Sequence, residues 1–263
     1  MSPNDAVAGI HPAAAVGFQQ AAEEYRRGRP GYPEEAVRFL AEVLGLGPGR
    51  RVLELGAGTG KLTRLLVPTG ARVIAVEPVP AMRAALVADV PGAAAIGGRA
   101  EAIPLADGSA DAAVAAAAFH WFDGPAALRE LHRVLRDDSV LAVAWNARDE
   151  ERSELWRRVT EVMALYRGDA PSYRSMEWRR AFDATDLFTP LQTLSFPYEH
   201  ETTRDGALDR VSSVSFIAAL PEPGRVTVRE QVLRLLDEDL DIGPSAERFS
   251  LPYRTDVHWC RRR

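Results

Sequence analysis

Cysteine is nearly absent from this chain. Cys260 stands alone, which excludes an internal disulfide and a thiolate metal cluster. Lysine is as scarce: Lys61 is the one lysine among 32 basic residues, and with the alanine-rich stretches this points to a GC-rich bacterial genome. The five histidines (His11, His120, His132, His200, His258) show no ligand spacing, so no metal is expected. No long uncharged apolar run occurs, and the N-terminus lacks a basic stretch followed by an apolar one. A soluble, cytoplasmic protein without a membrane partner is the expectation. Net charge is −5, and the arginine clusters are short, so a nucleic-acid partner is not expected either.

What is present suffices for a full core. A chain of 263 residues with 46% hydrophobic content suits one large domain, or one with a sizeable insertion. Residues 1–20 are small, polar and broken by Pro3 and Pro12, and are expected to be poorly ordered. Two prolines and two glycines between Arg27 and Pro33 make turns, after which Ala36, Val37, Leu40, Val43 and Leu44 form one face of a helix. From Arg51 strand and helix alternate: strands at Val52–Leu55, Arg72–Glu77, Ala93–Ile96, Ala110–Ala118 and Val140–Trp145, with helices near 60–67, 80–88 and 125–135. Asp123 is a plausible cap for the last of these. After Asn146 come helices near 151–167, 205–219 and 225–240, and two strand-like runs, Leu191–Glu199 and Leu251–Cys260. This pattern predicts an α/β chain with a Rossmann-like, seven-stranded, mostly parallel sheet, helices on both faces, and a helical lid in the C-terminal half. Residues 21–146 form the ligand-binding core and 147–263 the remaining strands and the lid, within one domain.

The stretch Arg51-Val52-Leu53-Glu54-Leu55-Gly56-Ala57-Gly58-Thr59-Gly60-Lys61-Leu62 turns a buried strand into a helix through three glycines. Such a turn gathers bare N–H groups and a helix's positive end at one point, a nucleotide-like site. A phosphate-binding P-loop would need glycine at Leu55 and Ser or Thr at Leu62, and a dinucleotide fingerprint would need glycine at Lys61. What remains is Glu54-x-Gly56-x-Gly58-x-Gly60. An acid, Glu77, follows at the end of strand two, and a carboxylate there can accept from both ribose hydroxyls.

This combination resembles the class I S-adenosylmethionine-dependent methyltransferases. The resemblance implies S-adenosylmethionine as cofactor, with Gly56, Gly58 and Gly60 along its amino-acid part, Glu54 near its ammonium group and Glu77 on the ribose. It places Met82 on the adenine, Ala100 and Glu101 at the adenine edge, and Arg99 where many members carry aspartate. The run Phe119-His120-Trp121-Phe122-Asp123 resembles a small-molecule branch that includes the trans-aconitate methyltransferase-like proteins, with Phe119, Trp121 and Phe122 as cofactor walls. In that branch the N-terminal segment folds over the cofactor, so Tyr25 and Arg29 could reach its carboxylate or an anionic substrate. The implied activity is methyl transfer to a small-molecule acceptor, with oxygen slightly favoured. A protein that keeps the fold and the cofactor without transferring methyl groups is the alternative.

Transfer from a sulfonium needs alignment in a dry pocket above all. His120 is the only histidine at a strand end. It is read as a general base, as a donor that orients the acceptor, or as a packing residue.

Overall fold

The structure, a computed structural model, describes residues 28–239, 242 and 246–263. Tyr25 lies outside the described residues, as does the segment 1–20.

Seven strands form one sheet in the order β3-β2-β1-β4-β5-β7-β6. They are β1 (Arg51–Leu55), β2 (Arg72–Val76), β3 (Ala94–Ile96), β4 (Ala110–Ala116), β5 (Leu135–Arg148), β6 (Gln192–Thr202) and β7 (Phe249–Arg261). The first five run parallel, and β7 enters antiparallel between β5 and β6. The expected seven-stranded, mostly parallel sheet is therefore present. Alternation sorts the side chains: Leu53, Leu55, Leu141 and Val143 face one core, and Val52, Val73, Ala142 and Ala144 the other.

The first core is covered by α4 (Gly124–Val134) and α6 (Arg179–Asp183), through Leu128, Leu131 and Phe182. The second is covered by α1 (Glu34–Val43) and α2 (Thr63–Leu66), through Ala36, Leu40 and Leu66. The helix α3 (Pro80–Asp89) lies against the glycine loop, where Leu86 packs with Ala57. The Asp123 side chain accepts from Ala126 N–H and caps α4.

The remaining helices, α5 (Glu154–Ala164), α7 (Arg204–Ser212), α8 (Ser215–Ala218) and α9 (Glu222–Glu238), build a third core with Leu251 and Tyr253 of β7. A group with its own core can sit above the strand ends as a unit.

Several boundaries differ from the sequence expectation for local reasons. The turn of helix after the glycine loop is short, because Pro68 lacks the N–H that would continue it and Val67–Thr69 closes as a 3-10 turn. β5 begins at Leu135, not Val140: Leu135 pairs with Ala110 across a register shift, and Asp138 takes a positive φ of 61° in between. β4 stops at Ala116 because Ala117 has φ 53°, a left-handed conformation that ends the strand.

Candidate active site

β1 lies between β2 and β4, so the connections leaving β1 and β4 depart to opposite sides and open a crevice at the strand ends. A cleft fills it, lined by Gly56, Gly58, Glu77, Met82, Ala100 and Glu101, with Val79, Ala117, Trp121 and Phe122. Eight residues expected to meet the cofactor, Trp121 and Phe122 among them, thus share one cavity.

The glycines differ in what they do. Gly56 (φ 63°) approaches so closely that a Cβ would stand 2.6 Å from the Ala118 Cβ, whereas at Gly58 (φ 58°) the nearest atom would be the Met82 sulfur at 3.7 Å. Gly58 is the one left open toward a ligand. Gly60 (φ 80°) turns to α3 instead, where a Cβ would meet Val90 and Leu86, and it does not line the cleft. Its role is close packing of loop on helix.

Glu77 is 5% exposed. Its Oε2 accepts from Gly58 N–H and its Oε1 from Val79 N–H, both at 2.8 Å. Burial pushes its carboxyl up to about 7, against the pull of those two amides and of Arg83. Each oxygen keeps a lone pair for a further donor. Glu54 sits behind the loop, 1% exposed and outside the cleft lining, where it accepts from the Thr63 hydroxyl at 2.7 Å. Burial lifts its carboxyl to about 8, with a smaller push from Glu77 after the Thr63 bond has lowered it.

Met82 is 2% exposed and serves both α3 packing and the cleft wall. Glu101 accepts from Asp123 N–H and from Arg99 Nε, which ties the adenine-edge segment to the start of α4. Phe119 is turned into the core against Phe182, 4.8 Å between centroids, and does not line the cleft, whereas Trp121 and Phe122 do as expected.

A second cavity adjoins the first, and Ala117 and Trp121 belong to both linings. His120 lines the second cavity, with Trp145 and Asn146 at the end of β5, Tyr173, and residues of α5, α7 and α8. Trp145 Nε1–H donates to His120 Nδ1 at 3.1 Å. A ring that accepts at Nδ1 carries its proton on Nε2 when neutral. It stays neutral because burial, and then Arg29, depress its pKa to about 3. Near pH 7, His120 presents a donor.

The segment around Arg29 closes over this cavity. Lys61 Nζ donates to Arg29 O at 2.7 Å, Asn146 Nδ2 to Gly31 O at 2.9 Å, and Arg29 Nε to the Ser213 hydroxyl at 3.3 Å. Gly28 lies so near α7 that a Cβ would stand 2.4 Å from the Arg210 backbone nitrogen. Asn146, Trp145, Arg148 and Arg210 were not singled out by the sequence reading. Only the strand-end position of Trp145-Asn146 could have drawn attention to them.

A model described as a methyltransferase domain matches residues 53–143. An uncharacterized methyltransferase of Mycobacterium tuberculosis is 36% identical over 241 residues, 92% of this chain and 93% of that protein. The chain belongs to the methyltransferase family. A malonyl-[acyl-carrier protein] O-methyltransferase of Methylococcus capsulatus is 40% identical over 138 residues, 49% of this chain and 47% of the relative. The solved YcgJ protein of Bacillus subtilis superposes with a TM-score of 0.58 at 18% identity, covering 88% of this chain and 99% of that one, a likeness of fold. As a class I methyltransferase the protein takes its methyl group from S-adenosylmethionine. Among the described residues, no cluster could hold a metal and no helix is long and apolar enough to cross a membrane.

Proposed function

We propose that this methyltransferase alkylates an oxygen of a small-molecule acceptor bound in the second cavity. The observation that carries the reading is the wall shared by two cavities at Ala117 and Trp121, beside a histidine that offers a proton donor and no base.

The first cleft suits the cofactor on its own features: a bare left-handed glycine, a buried carboxylate with spare lone pairs, and an apolar sleeve of Val79, Met82 and Ala100 for a flat ring. Glu77 would take the ribose hydroxyls, Gly56 and Gly58 the amino-acid end, and Ala100 and Glu101 the adenine edge. Once bound, the cofactor supplies an electrophilic methyl on a sulfonium. Arg29 stays with the acceptor side, since its side chain lines the second cavity.

A site without a base favours an acceptor that is already nucleophilic near pH 7, and a carboxylate oxygen is one. Methyl transfer to it breaks one carbon–sulfur bond, forms one carbon–oxygen bond, cancels one charge against another and moves no proton. His120 Nε2–H can hold the oxygen that does not react. The O-methyltransferase among the relatives agrees with an oxygen acceptor. The roof of the Arg29 segment and α7 supports a small molecule over a polymer, in line with the branch that the Phe119–Asp123 run resembles. The test is release of S-adenosylhomocysteine with small carboxylic acids against release with RNA or a carrier protein. Turnover with a polymer alone would overturn the small-molecule reading.

A further inference from the structure

The lining of the second cavity holds five arginines (Arg29, Arg148, Arg167, Arg174, Arg210) and no carboxylate. Arg210, on α7, is 7% exposed, yet its Nε and Nη1 have no hydrogen-bond partner. Arg148, at the end of β5, has an unpartnered Nε, rests over the Trp156 ring at 5.6 Å and reaches the Met163 sulfur at 3.4 Å. Arg148 feels Arg210, Arg174, Tyr253 and one acid, Glu150, while Arg210 meets the Tyr253 hydroxyl and acts on Tyr198, Lys61 and His200. Glu150 is already shared between Arg174 and the Thr160 hydroxyl. Burial, and then Arg210, bring the Arg148 guanidinium down to about 9.

A buried guanidinium without a counter-ion, as at Arg210, costs stability, and the like charge of Arg148 adds to that cost. Their planar forks match a carboxylate or phosphate group in bidentate fashion. Neither lines the cofactor cleft, whereas Ala117 and Trp121, where the methyl would cross, line both.

We infer that Arg210 and Arg148 form an oxyanion-binding subsite that anchors the acceptor by a second, non-reacting carboxylate or phosphate group. Around it Met163, Val214 and Phe216 offer an apolar wall to the acceptor's body, and Ser172 and Ser215 offer hydroxyls. The anchor rests on the reading of this cavity as the acceptor site. It makes Arg210 and Arg148 the specificity-determining pair. Because Arg210 sits on α7 against Gly28, a bound anion also ties the lid helices to the segment that roofs the cavity.

The test uses the full chain, with inorganic phosphate and succinate as probes at constant ionic strength in chloride, by calorimetry and thermal unfolding. At least one probe is expected to bind 1:1 and raise Tm; phosphate alone would identify a phosphoester anchor, and succinate alone a carboxylate. Arg210→Met is expected to weaken that binding at least tenfold, to unfold no earlier than wild type when unliganded, and to bind S-adenosylmethionine normally. Arg148→Met repeats the measurement should the first variant not fold. The inference is overturned if neither probe exceeds chloride in a protein that binds S-adenosylmethionine, if the variants bind the probes as wild type does, or if both arginine variants unfold early. Probe binding without S-adenosylmethionine binding would keep the anchor and remove the donor reading, so the two fail separately.

Discussion

Trp145 donates its indole N–H to His120 Nδ1 across 3.1 Å, and this bond fixes which imidazole nitrogen carries the proton. With Nδ1 occupied and the pKa held near 3, His120 does not titrate in the physiological range. At saturating cofactor, kcat is expected to be flat between about pH 5 and 9, because neither a base nor an imidazolium enters the rate. An inflection in kcat near pH 6 to 7 would assign His120 the role of base. Trp145→Phe should lower kcat by about tenfold through loss of the tautomer lock, with cofactor affinity nearly unchanged.

Glu77→Ala should weaken S-adenosylmethionine binding by about 1–3 kcal/mol, measured by calorimetry. The wild-type protein should show a pH dependence of the same origin. The Glu77 carboxyl is raised to about 7, and hydroxyl donors need the ionised form, so affinity falls by up to about tenfold per unit as pH drops below 7. Equal affinity at pH 8 and pH 5.5 would remove Glu77 from the ribose.

Glu54 carries a sign that can be checked on stability alone. Its folded pKa of about 8 lies above its unfolded value of 4.5, so the folded protein holds the proton more tightly. Its contribution to stability is full below pH 4.5 and is lost as pH rises toward 8. Glu54→Gln keeps an acceptor for the Thr63 hydroxyl and removes that loss. The variant should gain stability over wild type progressively across this window, by roughly 1–3 kcal/mol at its upper end, as read from urea unfolding at several pH values. A constant difference at all pH values would show that Glu54 is not the titrating group.

The segment over the cavity is held by donors from Lys61, from Asn146 of β5 and from Tyr198 of β6, whose hydroxyl donates to Gly31 O at 3.2 Å. Lys61→Met removes the bond to Arg29 O and leaves Asn146 on Gly31 O. Hydrogen exchange in peptides covering residues 28–32 should speed up by about tenfold, the equivalent of about 1.4 kcal/mol. Unchanged exchange would mean that the bonds from Asn146 and Tyr198 and that of Arg29 to Ser213 hold the roof without Lys61.

Much of this was legible in the sequence where the signal is local. The change from strand period to glycines to helix period marks the loop, and the strand-end acid marks Glu77, because both are fixed by backbone geometry within a few residues. The same reasoning could not separate Gly58 from Gly60, whose difference lies in α3 packing beyond the loop. Nor could it separate Phe119 from Phe122, adjacent aromatics of which one turns to the core. Arg210 and Arg148 were hidden for another reason. Among so many arginines these two read as solvated surface, and only the folding of α7 over the end of β5 takes Arg210 and the Arg148 Nε out of water. Ala117 gives no sign at all, since alanine is not the residue expected at φ 53°.

The central claim is that methyl passes at Ala117 and Trp121 from the first cleft to an oxygen in the second. Its most direct measurement is mass spectrometry of small di- and tricarboxylates and phosphocarboxylates incubated with the protein and methyl-deuterated S-adenosylmethionine. One acceptor should gain a single deuterated methyl group, with equimolar S-adenosylhomocysteine, and mild alkali should remove it as an ester. Label that survives alkali on nitrogen or carbon, or no transfer by protein that binds the cofactor, would contradict the account.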